Sequence, residues 1–242
     1  MLWQYFLCNN KKSMFKVLHY FPIYERHFSR YINQPIVFWE IGVSKGGSLQ
    51  MWKHYFGPHA IIVGIDIDNL CKQHEEHNIH ICIGSQSDHT FLEDVITKFG
   101  IPDIVLDDGS HKMSDIKSTF SYVYDKLPKN GIYAVEDLHT AYWEQYGGGL
   151  RRDGTFIEYC KGLIDELNAF NTNGQLEPTK FTRETSSIHF YDSVIVFERA
   201  PHTKHLAIHT GAEHLQATPS KAASSKLKIQ ELRQQIGTLA HK

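Results

Sequence analysis

The sequence predicts an α/β fold with a doubly wound, mostly parallel sheet and helices on both faces. Between residues 34 and 137, short apolar runs alternate with segments whose apolar residues recur at helical spacing. The first run, IVFWEIGV, stops at the glycine cluster SKGGS, and the last, GIYAVED, stops at two acids. Strands that alternate with helices imply parallel strands joined by helical crossovers, which is the Rossmann-like arrangement.

The elements of this region follow in a regular order. Strands are expected at IVFWEIGV, AIIVGIDID, IHICIG, PDIVLDD and GIYAVED, and helices at LQMWKHYF, DHTFLEDVITKFG and SDIKSTFSYVYDKL. In the second helix, Thr90 and Glu93 have the spacing of a capping box, and Gly100 marks the C-terminal stop. In the third helix, Ile116 and Phe120 keep the helical period.

The remaining chain carries weaker signals. FIEYCKGLIDELNAF predicts a helix, and SIHFYDSVIVFER predicts either two β runs or one bent run, which would add an antiparallel hairpin to the sheet. The N-terminal run MLWQYFL is too short to cross a membrane, so a docking helix or a partner surface is expected there. Residues 201–242 form a tail in which KIQELRQQIGTLAHK predicts a short amphipathic helix. Both ends suggest a homo-oligomer.

Composition excludes some classes of protein. The 242 residues are 41% hydrophobic and 21% charged, which is ordinary for a globular protein. A net charge of -2 gives no basis for a general nucleic-acid binder, because such binding needs clustered Lys and Arg. The four cysteines show no CxxC pair and indicate free thiols in a cytoplasmic protein: Cys8, Cys71, Cys82 and Cys160.

Polar residues end each strand of the expected sheet. The carboxyl ends of parallel strands share one edge, where ligands bind in open α/β sheets. The sequence therefore predicts one crevice that receives all of these groups: Glu40, Asp66, Gly84 with Ser85, Asp107 with Asp108, and Glu136 with Asp137.

The turn EIGVSKGGS lies between the first strand and its helix, where glycines let a backbone approach a ligand closely. A dinucleotide fingerprint reads GxGxxG, but Ser44 follows Gly42 at the place of its second glycine. Glu40 before the turn suits a cationic amino group better than a pyrophosphate. Asp66 ends the next strand, where a carboxylate binds ribose hydroxyls. A plain tight turn is the alternative, and a dinucleotide-dependent oxidoreductase is another.

This series of motifs resembles motifs I and II of the class I S-adenosylmethionine-dependent methyltransferases. The resemblance covers most of residues 34–137. It implies that the methionine part of the cofactor is surrounded by Glu40, Gly42, Gly46 and Ser48, that Asp66 holds the ribose, and that Ser85 and Gln86 lie near the adenine.

The acids at the last two strand ends need a separate explanation. Asp108, Glu136 and Asp137 would repel one another strongly unless a cation lies among them, and all-oxygen ligands suit Mg²⁺. The alternative is that Asp108 and Asp137 cap the elements that follow. His111 comes three residues after Asp108, where a neutral imidazole could take a proton from a metal-bound hydroxyl.

The pattern DDGSH followed by VEDLHT is similar to the Mg²⁺-dependent sugar O-methyltransferases of macrolide biosynthesis and to the related cephalosporin-hydroxylase and rhamnosyl O-methyltransferase group. The resemblance implies three metal ligands, Asp108, Glu136 and Asp137, with His111 as general base and Asp107 beside the methyl-bearing region of the cofactor. The segment KVLHYFPIYERHF resembles one that those enzymes carry before the sheet, although Val17 replaces a tryptophan.

The expected layout is an N-terminal helical segment (1–33) covering the cofactor site, a methyltransferase domain (34–200) and the tail (201–242). Tyr142 and Trp143 are candidates for stacking on a sugar. The predicted function is an S-adenosylmethionine- and Mg²⁺-dependent O-methyltransferase acting on a sugar hydroxyl of a small-molecule or glycan acceptor. The alternatives are the oxidoreductase and a non-catalytic assembly module, which would have no reason to keep mutually repelling acids.

Overall fold

A seven-stranded sheet forms the centre of residues 2–205, the part of the chain that the computed structural model describes. Its strand order is β3-β2-β1-β4-β5-β7-β6. The strands are β1 (Val37–Ile41), β2 (Ile61–Asp66), β3 (Ile79–Ile83), β4 (Ile104–Asp107), β5 (Ile132–Val135), β6 (Thr185–Tyr191) and β7 (Val194–Arg199). The first five pair in parallel, whereas β7 pairs antiparallel with β5 and β6. The predicted fold class and C-terminal hairpin are confirmed.

Seven α-helices flank the sheet in the described residues. They are α1 (Leu2–Leu7), α2 (Tyr20–Phe28), α3 (Gly47–Phe56), α4 (His89–Phe99), α5 (Met113–Val123), α6 (Phe156–Leu167) and α7 (Lys180–Glu184). Short 3-10 helices cover Ser29–Tyr31, Asn69–His74, Tyr124–Lys126, Leu138–Tyr142, Glu144–Tyr146 and Ala169–Asn171. The amphipathic helix predicted for the tail lies outside the described residues.

The start of α4 differs from the sequence prediction. The prediction of a capping box at Thr90 and Glu93 is wrong, because α4 begins at His89 and its N-cap is Asp88. The carboxylate of Asp88 accepts hydrogen bonds from the backbone N–H groups of Thr90 and Phe91. An Asp at the N-cap satisfies amides that have no partner within the helix. Gly100 ends the helix as predicted, with φ 90°.

Apolar side chains cover both faces of the sheet. Phe38 and Trp39 are neighbours on β1, and both are fully buried, but they pack into opposite clusters because side chains alternate along a strand. Trp52 lies on the face of α2 and α3, and Phe120 lies on the face of α5 and α6. Burying one such ring contributes roughly 1.5–3 kcal/mol, so both layers stabilise the sheet.

The N-terminal segment packs on the same unit as the sheet. Helix α1 lies against α2 and α3 with Leu2 buried, so the expected docking helix is present. Residues Lys12 and Ser13 run over the start of α3, where a Cβ on Gly47 would come within 2.5 Å of both of their carbonyl oxygens. Among the described helices, none is long and apolar enough to cross a membrane.

The strand order places a crevice at the carboxyl ends of β1 and β4. The chain runs outward from β1 to β3 and then returns to the other side of β1, which is the switch point where open α/β sheets bind ligands. Gly42, with φ +94°, allows the two loops to meet, because a Cβ there would lie 2.0 Å from the carbonyl oxygen of Asp108. The motif glycine is therefore required by the fold itself.

Candidate active site

Two adjoining cavities open at this edge of the sheet. The acid cavity, of about 360 Å³, is lined by the side chains of Lys16, Asp108, His111, Glu136 and Asp137. The Gln86 cavity, of about 270 Å³, is lined by Ser85, Gln86 and Ser110. Both are also lined by Gly42, Asp66 and Gly109, so together they form one continuous crevice.

Asp66 sits at the junction of the two cavities. Its carboxylate accepts three backbone N–H groups, from Val43 at 2.8 Å, from Ser44 at 3.1 Å and from Asp68 at 2.9 Å. Burial alone would raise the pKa of Asp66, but these hydrogen bonds outweigh it and lower the pKa. Asp66 is therefore an anionic acceptor that the glycine turn itself holds in place.

Glu40 lies beneath the crevice and is fully buried. It accepts hydrogen bonds from Ser48 Oγ at 2.7 Å and from Trp52 Nε1 at 3.1 Å. Burial raises the pKa of Glu40, while Lys16 and Ser48 oppose the shift. Ser48 lines the acid cavity, whereas Glu40 and Gly46 do not. Glu40 thus acts on the cavity through Ser48.

Gln86 is fixed in the wall of its cavity by a buried network. Its Oε1 accepts the backbone N–H of Ser110 at 2.8 Å, and its Nε2 donates to Asp107 and to Thr119, both at 3.1 Å. Tyr133 also donates to Asp107, at 3.0 Å. Burial raises the pKa of Asp107 to about 7. Asp107 lines neither cavity and instead positions Gln86.

Asp108, His111 and Asp137 come together on the far side of the crevice. One ligand atom from each lies within 4.8 Å of the other two, and His111 Nε2 is 3.9 Å from Asp137 Oδ2. Neither acid caps the element that follows it: the N-cap of α5 is Lys112, and Asp137 makes no capping bond to the Leu138–Tyr142 helix. The capping alternative is therefore wrong.

His111 and Asp137 share an uncommon backbone conformation. Their φ angles are +56° and +53°, in the left-handed region that residues other than glycine seldom adopt. Such strain tends to occur at functional sites, where surrounding structure over-determines the backbone. It aims both side chains into the acid cavity.

The sequence reasoning missed Lys16. Its ammonium lies 2.7 Å from Asp108 Oδ2, 2.8 Å from Glu136 Oε2 and 3.5 Å from Glu40 Oε1, with 2% of the side chain exposed. Burial would lower the pKa of Lys16, but Asp108 and Glu136 outweigh it and raise the pKa well above its usual value. Two features of the sequence could have indicated Lys16. Several buried acids need a buried cation, and Lys16 is the first residue of the segment KVLHYF.

Two tyrosines of α2 complete this arrangement. The Tyr24 hydroxyl donates to Glu136 Oε1, and the Tyr20 hydroxyl donates to Asp137 Oδ1 at 2.7 Å. Both oxygens of Glu136 therefore accept hydrogen bonds from the N-terminal segment. Burial raises the pKa of Glu136 to about 8, with Lys16 opposing the shift and Asp108 adding to it.

Aromatic rings extend from the acid cavity toward solvent. The His111 and Tyr146 ring centroids are 6.1 Å apart, and Trp143 lies 6.1 Å from Tyr146. Trp143 is 45% exposed and Tyr142 is 50% exposed, and neither lines the two cavities. The structure thus places Trp143 one ring away from His111.

The sheet order, the glycine turn and the crevice define a methyltransferase-type Rossmann-like fold, and comparisons with known proteins agree. No protein-family model matches the chain. It is 35% identical over 199 residues to mycinamicin VI 2''-O-methyltransferase of Micromonospora griseorubida and 34% identical over 196 residues to demethylmacrocin O-methyltransferase of Streptomyces fradiae. These matches cover 76% and 75% of this chain and 49% of each relative. The chain spans about half the length of the curated relatives that it matches.

A solved structure gives the same result for the fold. The chain resembles the MycE methyltransferase of the mycinamycin biosynthetic pathway, solved in complex with Mg, S-adenosylhomocysteine (SAH) and mycinamycin VI, with a TM-score of 0.71 and 34% identity. That likeness covers 77% of this chain and 50% of the other. The resemblance to sugar O-methyltransferases that the motifs predicted is confirmed.

Proposed function

We propose that the protein is an S-adenosylmethionine- and Mg²⁺-dependent O-methyltransferase that methylates a sugar hydroxyl of a glycoside, glycolipid or polysaccharide. The observation that carries the proposal is the continuous crevice, in which a polar pocket around Asp66 adjoins the cluster of Asp108, His111 and Asp137. A methyl donor lying across both cavities would present its methyl group to a hydroxyl acceptor in the acid cavity.

The proposed methyl donor, S-adenosylmethionine, would lie across both cavities, with its adenine end in the Gln86 cavity. Adenine would lie in the Gln86 cavity and the ribose on Asp66, which presents an ionised carboxylate at the junction. The methionine part would then enter the acid cavity, beside Gly42 and Ser48. The MycE structures, solved with Mg and S-adenosylhomocysteine, support this choice of ligands.

A divalent cation fits the acid cavity through its donors and its charge. Asp108 and Asp137 offer the carboxylate oxygens that Mg²⁺ prefers. Glu136 lies outside that group, with its two oxygens bonded to Lys16 and Tyr24, and is the third proposed ligand. The ammonium of Lys16 offsets only part of the negative charge of these acids. When bound, the cation would lower the pKa of the acceptor hydroxyl, and S-adenosylmethionine would supply the methyl group.

His111 is the proposed general base. Its Nε2 lies near the carboxylates of Asp108 and Asp137, at the mouth where an acceptor would arrive. His111 would take the proton of the acceptor hydroxyl, and Asp137 would stabilise the imidazolium that results. Lys16 and Tyr24 hold Glu136 in a fixed position, and Lys16 also holds Asp108.

The proposal also covers the acceptor, the cellular compartment and self-association. Trp143 and Tyr142 are the proposed sugar-stacking residues on the rim, and no nucleic acid is proposed as a substrate. A cytoplasmic location is part of the proposal, because the four cysteines are far apart in the sequence and favour free thiols. Self-association through the N-terminal segment remains part of the proposal.

Two experiments test the function. Isothermal titration should give binding of S-adenosylhomocysteine and none of NADPH; the reverse result would favour the oxidoreductase, and binding of neither would favour the non-catalytic module. Radiolabelled methyl transfer to a panel of glycosides, glycolipids and polysaccharides should then stop in EDTA and return with Mg²⁺. Full transfer in EDTA would remove the metal from the proposal.

A further inference from the structure

A second group of metal-ligating side chains lies outside the crevice. We propose that His27, His189 and Glu198 form a site for a d-block divalent cation such as Zn²⁺. One ligand atom from each residue lies within 4.8 Å of the other two. None of the three lines either cavity of the candidate active site.

Three ordered elements bring these side chains together. His27 lies in the last turn of α2, and His189 and Glu198 lie on the paired strands β6 and β7. Ser187 faces Glu198 and His189 faces Val196 across the hairpin, so His189 and Glu198 are diagonal neighbours. His27 packs over them, buried, with its ring centroid 4.6 Å from that of His189.

One of the two hydrogen bonds of His27 is of the kind that orients metal-bound histidines. Its Nδ1 lies 2.9 Å from Glu198 Oε1, and its other nitrogen, Nε2, lies 2.9 Å from the Tyr191 hydroxyl. In metal sites the second ring nitrogen is almost always held in this way, which fixes the ring and its tautomer. Nδ1 of His27, which donates to the Glu198 carboxylate, is the nitrogen that would exchange its proton for an ion beside Glu198.

The His189 side chain must move slightly to bring its Nε2 within ligand distance of the ion. Its Nε2 lies 4.0 Å from Glu198 Oε2 and 2.9 Å from Ser187 Oγ. Ligand atoms about 2.0–2.2 Å from a tetrahedral Zn²⁺ are roughly 3.3 Å apart. A side-chain rotation on this edge strand that exchanges the Ser187 hydrogen bond for the metal supplies the difference.

The donor set selects the kind of ion. Two imidazoles and one carboxylate suit Zn²⁺ with a fourth position open to water, whereas Mg²⁺ prefers oxygen ligands. Arg30 lies 3.6 Å from Glu198 but is 48% exposed, so solvent screens its repulsion of the ion.

An ion at this position would clamp α2 to the C-terminal hairpin. Helix α2 also carries Tyr20 and Tyr24, which bond to Asp137 and Glu136. The ion would therefore stabilise the position of α2, and with it the hydrogen bonds of Tyr20 and Tyr24 to the acid cavity. It would not itself contact Asp137 or Glu136.

The test is a titration of the full chain with Zn²⁺ and with Co²⁺, followed by calorimetry and by the visible absorption of tetrahedral Co²⁺. The unmodified protein and Asp137→Asn should both bind at His27, His189 and Glu198, because Asp137→Asn weakens only the acid cavity. His189→Gln and Glu198→Gln should each lose the absorption and reduce Zn²⁺ affinity by more than the roughly 10–100-fold that loss of an outer-shell partner costs.

A matched control separates the site from general histidine binding. His80→Gln removes a partly buried histidine from β3, at the other end of the sheet, and should leave the Co²⁺ spectrum and the Zn²⁺ affinity unchanged. Binding of S-adenosylhomocysteine checks that each variant is folded. Equal Zn²⁺ binding by the unmodified protein and by a folded His189→Gln or Glu198→Gln variant would overturn the proposal, as would no binding by the unmodified protein.

Discussion

The two cavities of the crevice are held in place by different kinds of contact. On the cofactor side, Asp66 is fixed by backbone N–H groups of the turn after β1 and of its own loop. On the acceptor side, Asp108 and Glu136 are fixed by Lys16, which lies 92 and 120 residues away in sequence. The contacts of the cofactor side all lie between β1 and α5, whereas the acid cavity also needs the N-terminal segment to fold over the sheet.

The largest effect is expected from His111→Ala. If the acceptor side carries the proton transfer, this change should lower kcat by about 10²–10⁴-fold, the usual contribution of a general base. The affinity for S-adenosylhomocysteine should stay nearly unchanged, because the proposed contacts of the adenine and ribose, at Gln86 and Asp66, do not involve His111. Methyl-transfer kinetics and isothermal titration measure the two quantities.

The comparison between the cavities predicts that His111→Ala lowers kcat without lowering cofactor affinity. A collapse of cofactor affinity in His111→Ala would mean that the two sides are not independent and that His111 has a structural role. Ser114→Ala is a suitable control, since Ser114 is an exposed residue of the same loop-to-helix region and should leave both quantities unchanged.

Lys16→Met should be the most destabilising of these changes. It leaves Glu136 and Asp108 without their buried ammonium partner, and breaking a buried ion pair on one side costs about 3–5 kcal/mol. Urea denaturation in EDTA at pH 7 measures the loss in the free energy of unfolding. Added Mg²⁺ should recover part of that loss, because a cation can again neutralise the acids.

Lys12→Met provides the control for this prediction. Lys12 pairs with Glu76 at 3.8 Å and is 29% exposed, so its loss should cost no more than about 1 kcal/mol. Equal effects of the two substitutions would mean that Lys16 does not stabilise the acid cavity, and the contrast between the two cavities would fail.

Gln86→Leu tests the cofactor side in the same way. The change leaves the Ser110 N–H and the Asp107 carboxylate without their Gln86 partner, so stability should fall by about 1–3 kcal/mol. Affinity for S-adenosylhomocysteine should fall with it, while Mg²⁺ affinity should not. Gln50→Leu, on α3 and away from both cavities, should leave cofactor affinity unchanged.

The same contrast explains what could be read from the sequence. The strands, the glycine turn and Asp66 were predictable, because periodic apolar runs and turn residues are local signals. The meeting of Asp108 with Asp137 followed from the rule that parallel strand ends share an edge. Strand pairing was thus enough to bring Asp108 and Asp137 together, whereas His111 also depends on the backbone conformation of its loop.

Contacts between distant segments could not be read in this way. Lys16 lies in a segment with no strand register to the sheet, so nothing in its spacing indicates which acids it meets. Asp107 is the last residue of β4 and Asp108 is the next residue, but alternation along the backbone turns Asp107 toward Tyr133 and Gln86. The metal-ligating group of His27 and Glu198 depends on how α2 packs over the hairpin, which periodicity does not specify.

Trp143→Ala should have the smallest effect, and it tests how far the acceptor side extends. Trp143 is joined to His111 through Tyr146 and is half-exposed on the rim, where it can stack on a sugar. Loss of one aromatic contact of about 0.5–1.5 kcal/mol should raise KM for the glycoside acceptor by roughly two- to twelvefold, with kcat and cofactor affinity unchanged. Trp3→Ala removes a comparably exposed tryptophan that packs on Phe21, and it should leave the acceptor KM unchanged. An unchanged KM in Trp143→Ala would mean that only the acid cavity recognises the acceptor. A fall in kcat would instead mean that the Trp143 ring helps to position His111.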